Sequence, residues 1–258
     1  MAIETLGASL AEYAPKYRHA KLDRDDDGIL TVTLHTDGDS LVWSARAHDE
    51  LAYLFTDIAC DQENRVVVLT GAGDSFCNEI DFESFSLGTP QEWYHTAFEG
   101  KRLIKNFMAI EVPIIAAVNG PVTFHPELPA ICDLVLVSET AVFQDAPHFA
   151  SGIIPGDGAQ YVWPYVLGPA RGRYFLLTGQ KLDAGQALEY GVVNEVLPQA
   201  DVLARALEHA RTIAAKTDLT IRSTRLLMKT ELDRIVNDQQ GAGFPHQALA
   251  VIDMSWGQ

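Results

Sequence analysis

Three runs of branched aliphatic residues constrain the architecture of this chain more than anything else in it: "RVVVLTG" (65–71), "PIIAAVNG" (113–120) and "DLVLVS" (133–138). Each is shorter than an ordinary helix, rich in side chains that stiffen an extended backbone, and ends in Gly or Ser. Each therefore predicts a buried strand closed by a turn. Helical patterns fill the intervals. "HDELAYLFTDIACD" puts Leu51, Leu54 and Ile58 on one face, and "EWYHTAFEGKRLIKNFMAI" predicts a second helix from Gln91. From Tyr17 the chain reads as a hairpin, with "DDDG" turning into the β-branched run "ILTVTLHT". A short helix is expected near Pro126 and a further short strand at "AVFQ". Beyond Gly158 the pattern becomes mostly helical, ending in two long segments between Asp201 and Asp238. Strands first and helices later predict an α/β fold, divided as an N-terminal arm (1–16), a mixed core (17–198) and a helical C-terminal region (199–258). The opening stretch to Pro15 reads as either a mobile arm or a short helix.

The formal charge of −16 would repel nucleic acid and anionic membranes over most of the surface, so neither is expected as a partner. No apolar run approaches the roughly eighteen residues of a membrane span, and the N-terminus has no basic segment followed by an apolar one. A cytoplasmic location is the expectation. Cys60, Cys77 and Cys132 are widely spaced and odd in number, which argues against a disulfide framework or a structural zinc site.

Several motifs dissolve on inspection. "DRDDDG" at 23–28 matches the first half of a calcium loop, but the twelfth position is Leu34 where a bidentate glutamate is needed, so a hairpin turn is the better reading. Internal "HDEL" at 48–51 is not at a C-terminus and carries no retention address. There is no G-x-S-x-G and no H-E-x-x-H, and "GAGDSF" lacks the glycine spacing of a nucleotide fingerprint.

What remains is "DAPHFASGIIPGDG" (145–158), which carries His148 and Asp157 nine positions apart. An aspartate suits a Pro-Gly-Asp-Gly turn for purely structural reasons, and most isolated histidines are structural too. The alternative is a pair, in which a rigidly held carboxylate fixes the tautomer of a histidine base. His125, in "NGPVTFHPELP", is either a surface histidine near a helix start or a donor beside free backbone N–H groups. Trp43, in "SLVW", is either plain core or an indole N–H offered to a substrate carbonyl.

Taken together, "VVVLTGAGDSFCNEIDF", "IIAAVNGPVTFHPELPAICDLVLVSETAVFQDAPHFASGIIPGDGA" and "LTGQKLDAGQALEYGVVNEVL" resemble the crotonase (enoyl-CoA hydratase/isomerase) superfamily over roughly residues 20–230. Through "SLVW", "SFCNEIDF", "APHF" and "PGDGA" the chain is similar, within it, to the β-diketone hydrolases typified by 6-oxocamphor hydrolase. The resemblance implies stacked ββα turns, C-terminal helices that build trimers or paired trimers, and an oxyanion hole formed by backbone N–H groups around Ile80 and Phe124. It makes His148 and Asp157 a catalytic dyad, with His125 and Trp43 contacting the diketone. Glu127 falls where many hydratases keep one catalytic glutamate, but Pro147 stands at the second such position, so ordinary hydration is disfavoured and Glu127 is expected to be structural. Gln247, in "HQAL", replaces a family glutamate and cannot deliver a proton as an acid.

The reaction implied is hydrolysis of a carbon–carbon bond in a small, uncharged, cyclic β-diketone, giving a keto acid with no metal, cofactor or covalent enzyme intermediate. Glu79, Asp81 and Glu83 sit where a thioester enzyme would gain from basic residues, which disfavours coenzyme A. Two rivals stay open: a crotonase-type enzyme acting on a coenzyme A thioester, and a non-catalytic oligomeric scaffold.

Overall fold

The computed structural model describes residues 7–256. Its strands are β1 (Ala20–Arg24), β2 (Ile29–Leu34), β3 (Leu41–Trp43), β4 (Val66–Gly71), β5 (Cys77–Ile80), β6 (Ile114–Val118), β7 (Leu134–Ser138), β8 (Val142–Phe143), β9 (Leu182–Asp183) and β10 (Glu195–Leu197). The helices are α1 (Leu10–Tyr13), α2 (Ala45–Cys60), α3 (Pro90–Ala109), α4 (Glu127–Ala130), α5 (Ala159–Leu167), α6 (Pro169–Thr178), α7 (Ala184–Glu189), α8 (Gln199–Ala214), α9 (Asp218–Met228) and α10 (Thr230–Trp256).

The aliphatic runs form the spine of a six-stranded sheet ordered β1-β2-β4-β6-β7-β10, antiparallel only between β1 and β2. Both faces are covered, which is why these strands read as continuous apolar runs. On one face Ile29, Val66, Val68, Ile115 and Leu136 meet Val202, Ala206, Ala210 and Ala214 of α8, whose small side chains let the helix lie close. The other face packs into the main core with Leu51, Leu54 and Phe55 of α2 and Leu103, Ile104 and Phe107 of α3. At the β1–β2 turn, Gly28 takes a positive φ of 77° and the Asp25 carboxylate accepts the N–H groups of Asp27 and Ile29, so these acids serve the hairpin.

A second layer carries the site. Parallel β3 and β5 are joined through bridges at Val122 to β8, and β8 pairs with β9. The ends of these strands deliver Trp43, Ile80 and the 119–125 loop to one place. Asn119 fixes that loop by donating to the carbonyls of Ala72, Gly73 and Ser75.

Of the two readings of the opening stretch, the short helix is the one seen, at α1, where Tyr13 is fully buried and donates to Asp61; residues 1–6 of the expected arm lie outside the described residues. One expectation changes. The C-terminal region contains three helices where two segments were expected, because the break at Lys229 has ordinary right-handed dihedrals and no Gly or Pro to announce it. No described helix is long and apolar enough to cross a membrane.

Candidate active site

A cavity of about 100 Å³ opens between the second layer, α3 and α10, and Trp43, Ile80, Phe124, His125, His148, Asp157 and Gln247 all line it. The structure therefore gathers every sequence-predicted site residue at one location. It also changes what several of them can do.

His148 and Asp157 meet, with Nε2 3.1 Å from a carboxylate oxygen of Asp157. The other ring nitrogen is occupied as well: Nδ1 lies 2.6 Å from Asp145. The expected arrangement, in which Asp157 orients the ring and the free nitrogen faces water, is thereby corrected. Asp145 does the orienting, and Asp157 lines the cavity beside His148. Burial opposes charge on His148, but the attraction of Asp157 and the hydrogen bond to Asp145 outweigh it and raise its pKa well above the ordinary value. Burial would raise the Asp157 pKa, yet the His148 cation and its hydrogen bond drive it down. Each shift favours the charged form of its group, and one Asp157 oxygen, Oδ1, is buried with no hydrogen-bond partner among the described residues. That oxygen is the acceptor a water molecule would find.

The turn that carries Asp157 depends on glycine. Gly158 has φ 145°, and a Cβ there would sit 2.1 Å from Ile104 Cδ1. A Cβ on Gly243 of α10 would sit 2.0 Å from the Gly156 carbonyl oxygen, so helix and turn touch backbone to backbone. Gln240, fully buried, completes the junction by donating to the Asp157 carbonyl at 3.0 Å and accepting from Tyr161. This close approach seats Phe244, Gln247 and Val251, spaced three and four apart on one face of α10, along the cavity wall. The Gln247 side-chain oxygen is buried and unpartnered among the described residues.

His125 sits at φ 49°, a left-handed conformation uncommon outside glycine. Two contacts hold it: Nδ1 lies 2.6 Å from Glu127, and the ring stacks on Trp43 with centroids 4.0 Å apart. Glu127 is thus buried behind His125, where it orients that ring. Burial disfavours the imidazolium, but the charge and hydrogen bond of Glu127, with Asp157 beyond, overcome it and raise the pKa. Nε2 has no hydrogen-bond partner among the described residues.

The backbone donors also shift by one residue. The Phe124 N–H is committed to the Cys77 carbonyl at 3.2 Å, so the expected donor at Phe124 is corrected; the His125 N–H has no partner among the described residues. Across the cavity, Asp81 gives its N–H to the Trp43 carbonyl at 2.8 Å. Neighbouring residues of a strand face opposite edges, which directs the Ile80 N–H towards the 124–125 side.

Sequence reasoning missed Asp145, His48 and Trp93. Asp145 is three residues before His148, close enough for the D-x-x-H spacing to have suggested a local pair. His48, 5% exposed, lies edge-on to Trp43 and Phe85. Trp93 lines the cavity from the first turn of α3, with an indole N–H that has no partner among the described residues. His125, Glu127 and Asp157 each offer a ligand atom within 4.8 Å of the others, although the His125–Glu127 hydrogen bond already joins two of them.

The family model for enoyl-CoA hydratase/isomerase matches residues 24–244. A solved β-diketone hydrolase from the cyanobacterium Anabaena sp. PCC 7120, bound to (S)-3-oxocyclohexyl acetic acid, is 46% identical, with a TM-score of 0.93 over 95% of this chain and 98% of its own. A fatty acid oxidation complex subunit alpha from Shewanella frigidimarina is 28% identical over 84% of this chain, which spans only 32% of that protein. A carnitinyl-CoA dehydratase of Escherichia coli K12 is 28% identical, with 81% of this chain and 80% of the relative covered.

Proposed function

Starting from the fact that the chain belongs to the enoyl-CoA hydratase/isomerase family, with the crotonase fold, we propose that it hydrolyses a carbon–carbon bond in bicyclic β-diketones. The observation that carries this reading is the Asp145–His148–Asp157 relay, which ends at an unpartnered carboxylate oxygen on a side chain within 4.8 Å of His125, whose pKa its acidic neighbours raise. Water held by Asp157 loses a proton to it and attacks one carbonyl. The tetrahedral adduct collapses, the carbon–carbon bond breaks, and its electron pair becomes the enolate of the second carbonyl. His125 Nε2–H and the backbone N–H groups of His125 and Ile80 hold that oxygen, a device worth roughly 3–4 kcal/mol per good donor. A carboxyl group made acidic by a neighbouring cation is a weak base but a strong acid, which suits Asp157 to returning the proton to carbon. The chemistry calls for no metal or cofactor.

The ligand of the Anabaena enzyme fits the same reaction. Opening bicyclo[2.2.2]octane-2,6-dione with water at the bond beside its shared bridgehead yields a (3-oxocyclohexyl)acetic acid. A bridged diketone also suits the reading because it cannot escape as a flat enol. The test is base uptake in a pH-stat with this diketone and with 6-oxocamphor. One equivalent of acid per turnover is expected, and no acid from either substrate would sink the proposal. The names of the more distant relatives favour a coenzyme A thioester reading instead, which calorimetric binding of coenzyme A would support; the exposed Glu79, Asp81 and Glu83 at the rim weigh against it.

The pH profile follows from the same groups. Asp157, with its lowered pKa, stays ionised to strongly acid pH, whereas the raised pKa of His125 keeps it charged below that value and neutral above it. The rate should fall as pH rises through the His125 pKa, which lies above the ordinary imidazole value. Glu127→Gln removes the carboxylate that raises this pKa, so the alkaline limb should move to lower pH; an unmoved limb would free His125 from the role.

Self-association completes the reading. Leu219, Leu227 and Met228 of α9 are 76%, 78% and 64% exposed, apolar surface that supports self-association; a trimer or a pair of trimers is the proposal, to be checked by sedimentation.

A further inference from the structure

Behind the reaction cavity lies a second chamber of about 170 Å³, lined by Leu87, Pro90, Trp93, Ala248, Val251 and Ile252, with Gly88 and Thr89 at its edge. Leu87, Trp93 and Val251 belong to both spaces, so these three side chains form the partition between them. Trp93 is held there by the start of α3. The Thr89 hydroxyl accepts the Glu92 N–H at the N-cap, Pro90 occupies the first turn, and the Thr89 carbonyl accepts the Trp93 N–H.

Two observations point to a ligand. The reaction cavity, about 100 Å³, is smaller than the cavity of about 150 Å³ that takes a benzene molecule, so a bicyclic diketone seated against Asp157 must reach beyond it. The Trp93 indole N–H is buried and unpartnered among the described residues, at the partition itself. A donor left so is costly unless something accepts from it.

We propose that the second chamber is a substrate subsite, taking an apolar arm that projects from the diketone ring away from the bond being cleaved. The arm carries a hydrogen-bond acceptor next to the ring, where the Trp93 N–H meets it. The identity of the ring rests on the hydrolase reading; the subsite rests on the chamber.

Binding to the full-length protein, measured by calorimetry, tests this without turnover. The probes are (3-oxocyclohexyl)acetic acid and its ring-substituted butyl and propoxy derivatives. Each buried methylene strengthens binding about fourfold, so the butyl arm should lower Kd by at least about tenfold. Ala248→Phe fills the far end of the chamber and should erase most of that gain while changing the Kd of the parent acid by less than about threefold. The propoxy arm should outbind the butyl arm in the wild type, and Trp93→Phe should cancel the difference. An arm that adds nothing, as for a mere passage to the surface, overturns the subsite. So does Ala248→Phe weakening parent and armed acids alike. Equal binding of propoxy and butyl arms overturns the role given to Trp93. Turnover of the parent diketone, followed on the same preparation, separates the two readings. Arm-dependent binding without turnover condemns the hydrolase, and turnover without arm-dependent binding condemns the subsite.

Discussion

Asp157→Asn is expected to lower kcat by roughly three orders of magnitude while leaving KM within about threefold, because the amide keeps the shape of the side chain and cannot take a proton from water. His148→Ala should cost about as much. On the hydrolase reading the two side chains, 3.1 Å apart, act as one proton-handling unit, so the double variant should be scarcely slower than either single one. Asp145→Asn removes only the group behind the ring. Its loss should be smaller, about ten- to a hundredfold, and accompanied by a changed pH profile, as for a residue that acts by positioning. Single-turnover rates with a bicyclic diketone decide the matter. If Asp157→Asn retains more than a tenth of the wild-type rate while His148→Ala does not, the histidine meets water directly and the carboxylate is its support.

The second large effect concerns stability. In an open helix Gly→Ala stabilises by about 0.8–1 kcal/mol, and Gly241→Ala in α10 should behave that way, because nothing lies within 4 Å of the added methyl. Gly243→Ala, two residues on, should do the reverse. Its Cβ would press against Gly156 backbone at 2.0 Å and cannot be relieved by a side chain turning aside. A net loss of about 2–3 kcal/mol is expected, together with a fall in kcat/KM of about a hundredfold as Gln247 and the Asp157 turn move apart. Thermal melts of the two variants beside the wild type provide the check; equal melting temperatures would mean that helix and turn are not in contact.

Much of the fold was legible because the residues that build it had few alternatives. Val66–Gly71 and Ile114–Val118 are covered on both faces, and a short uniformly apolar run has little to become other than a buried strand. The "DDDG" hairpin was legible through local turn chemistry alone. Site residues were another matter. Nothing within the sequence distance between His148 and Asp157 required their contact; the family resemblance suggested it, and tertiary packing of the 145–158 loop produces it. Asp145 escaped because a loop carboxylate three residues before a histidine meets its ring only when the intervening turn folds back, which sequence alone does not fix. Trp93 and His48 escaped because the direction of a helix face is set by what the helix docks on. The donor expected at Phe124 failed by a single residue, since whether a loop amide is free depends on the strand beside it.

The backbone contact between Gly156 and Gly243 also sets an order of assembly. The Asp157 turn and Gln240, which grips it, are 83 residues apart in the chain, and chains emerge from synthesis N-terminal end first. A nascent protein would form its sheet, and with it the means to bring His148 beside its two aspartates, well before α10 existed to wall the cavity. Water would reach the ion pair from all sides in that interval, and a diketone would find no enclosure. On the hydrolase reading, catalytic competence is thereby withheld until residues 240–251 have been made and seated, which would tie the first turnover to one of the last docking events in folding.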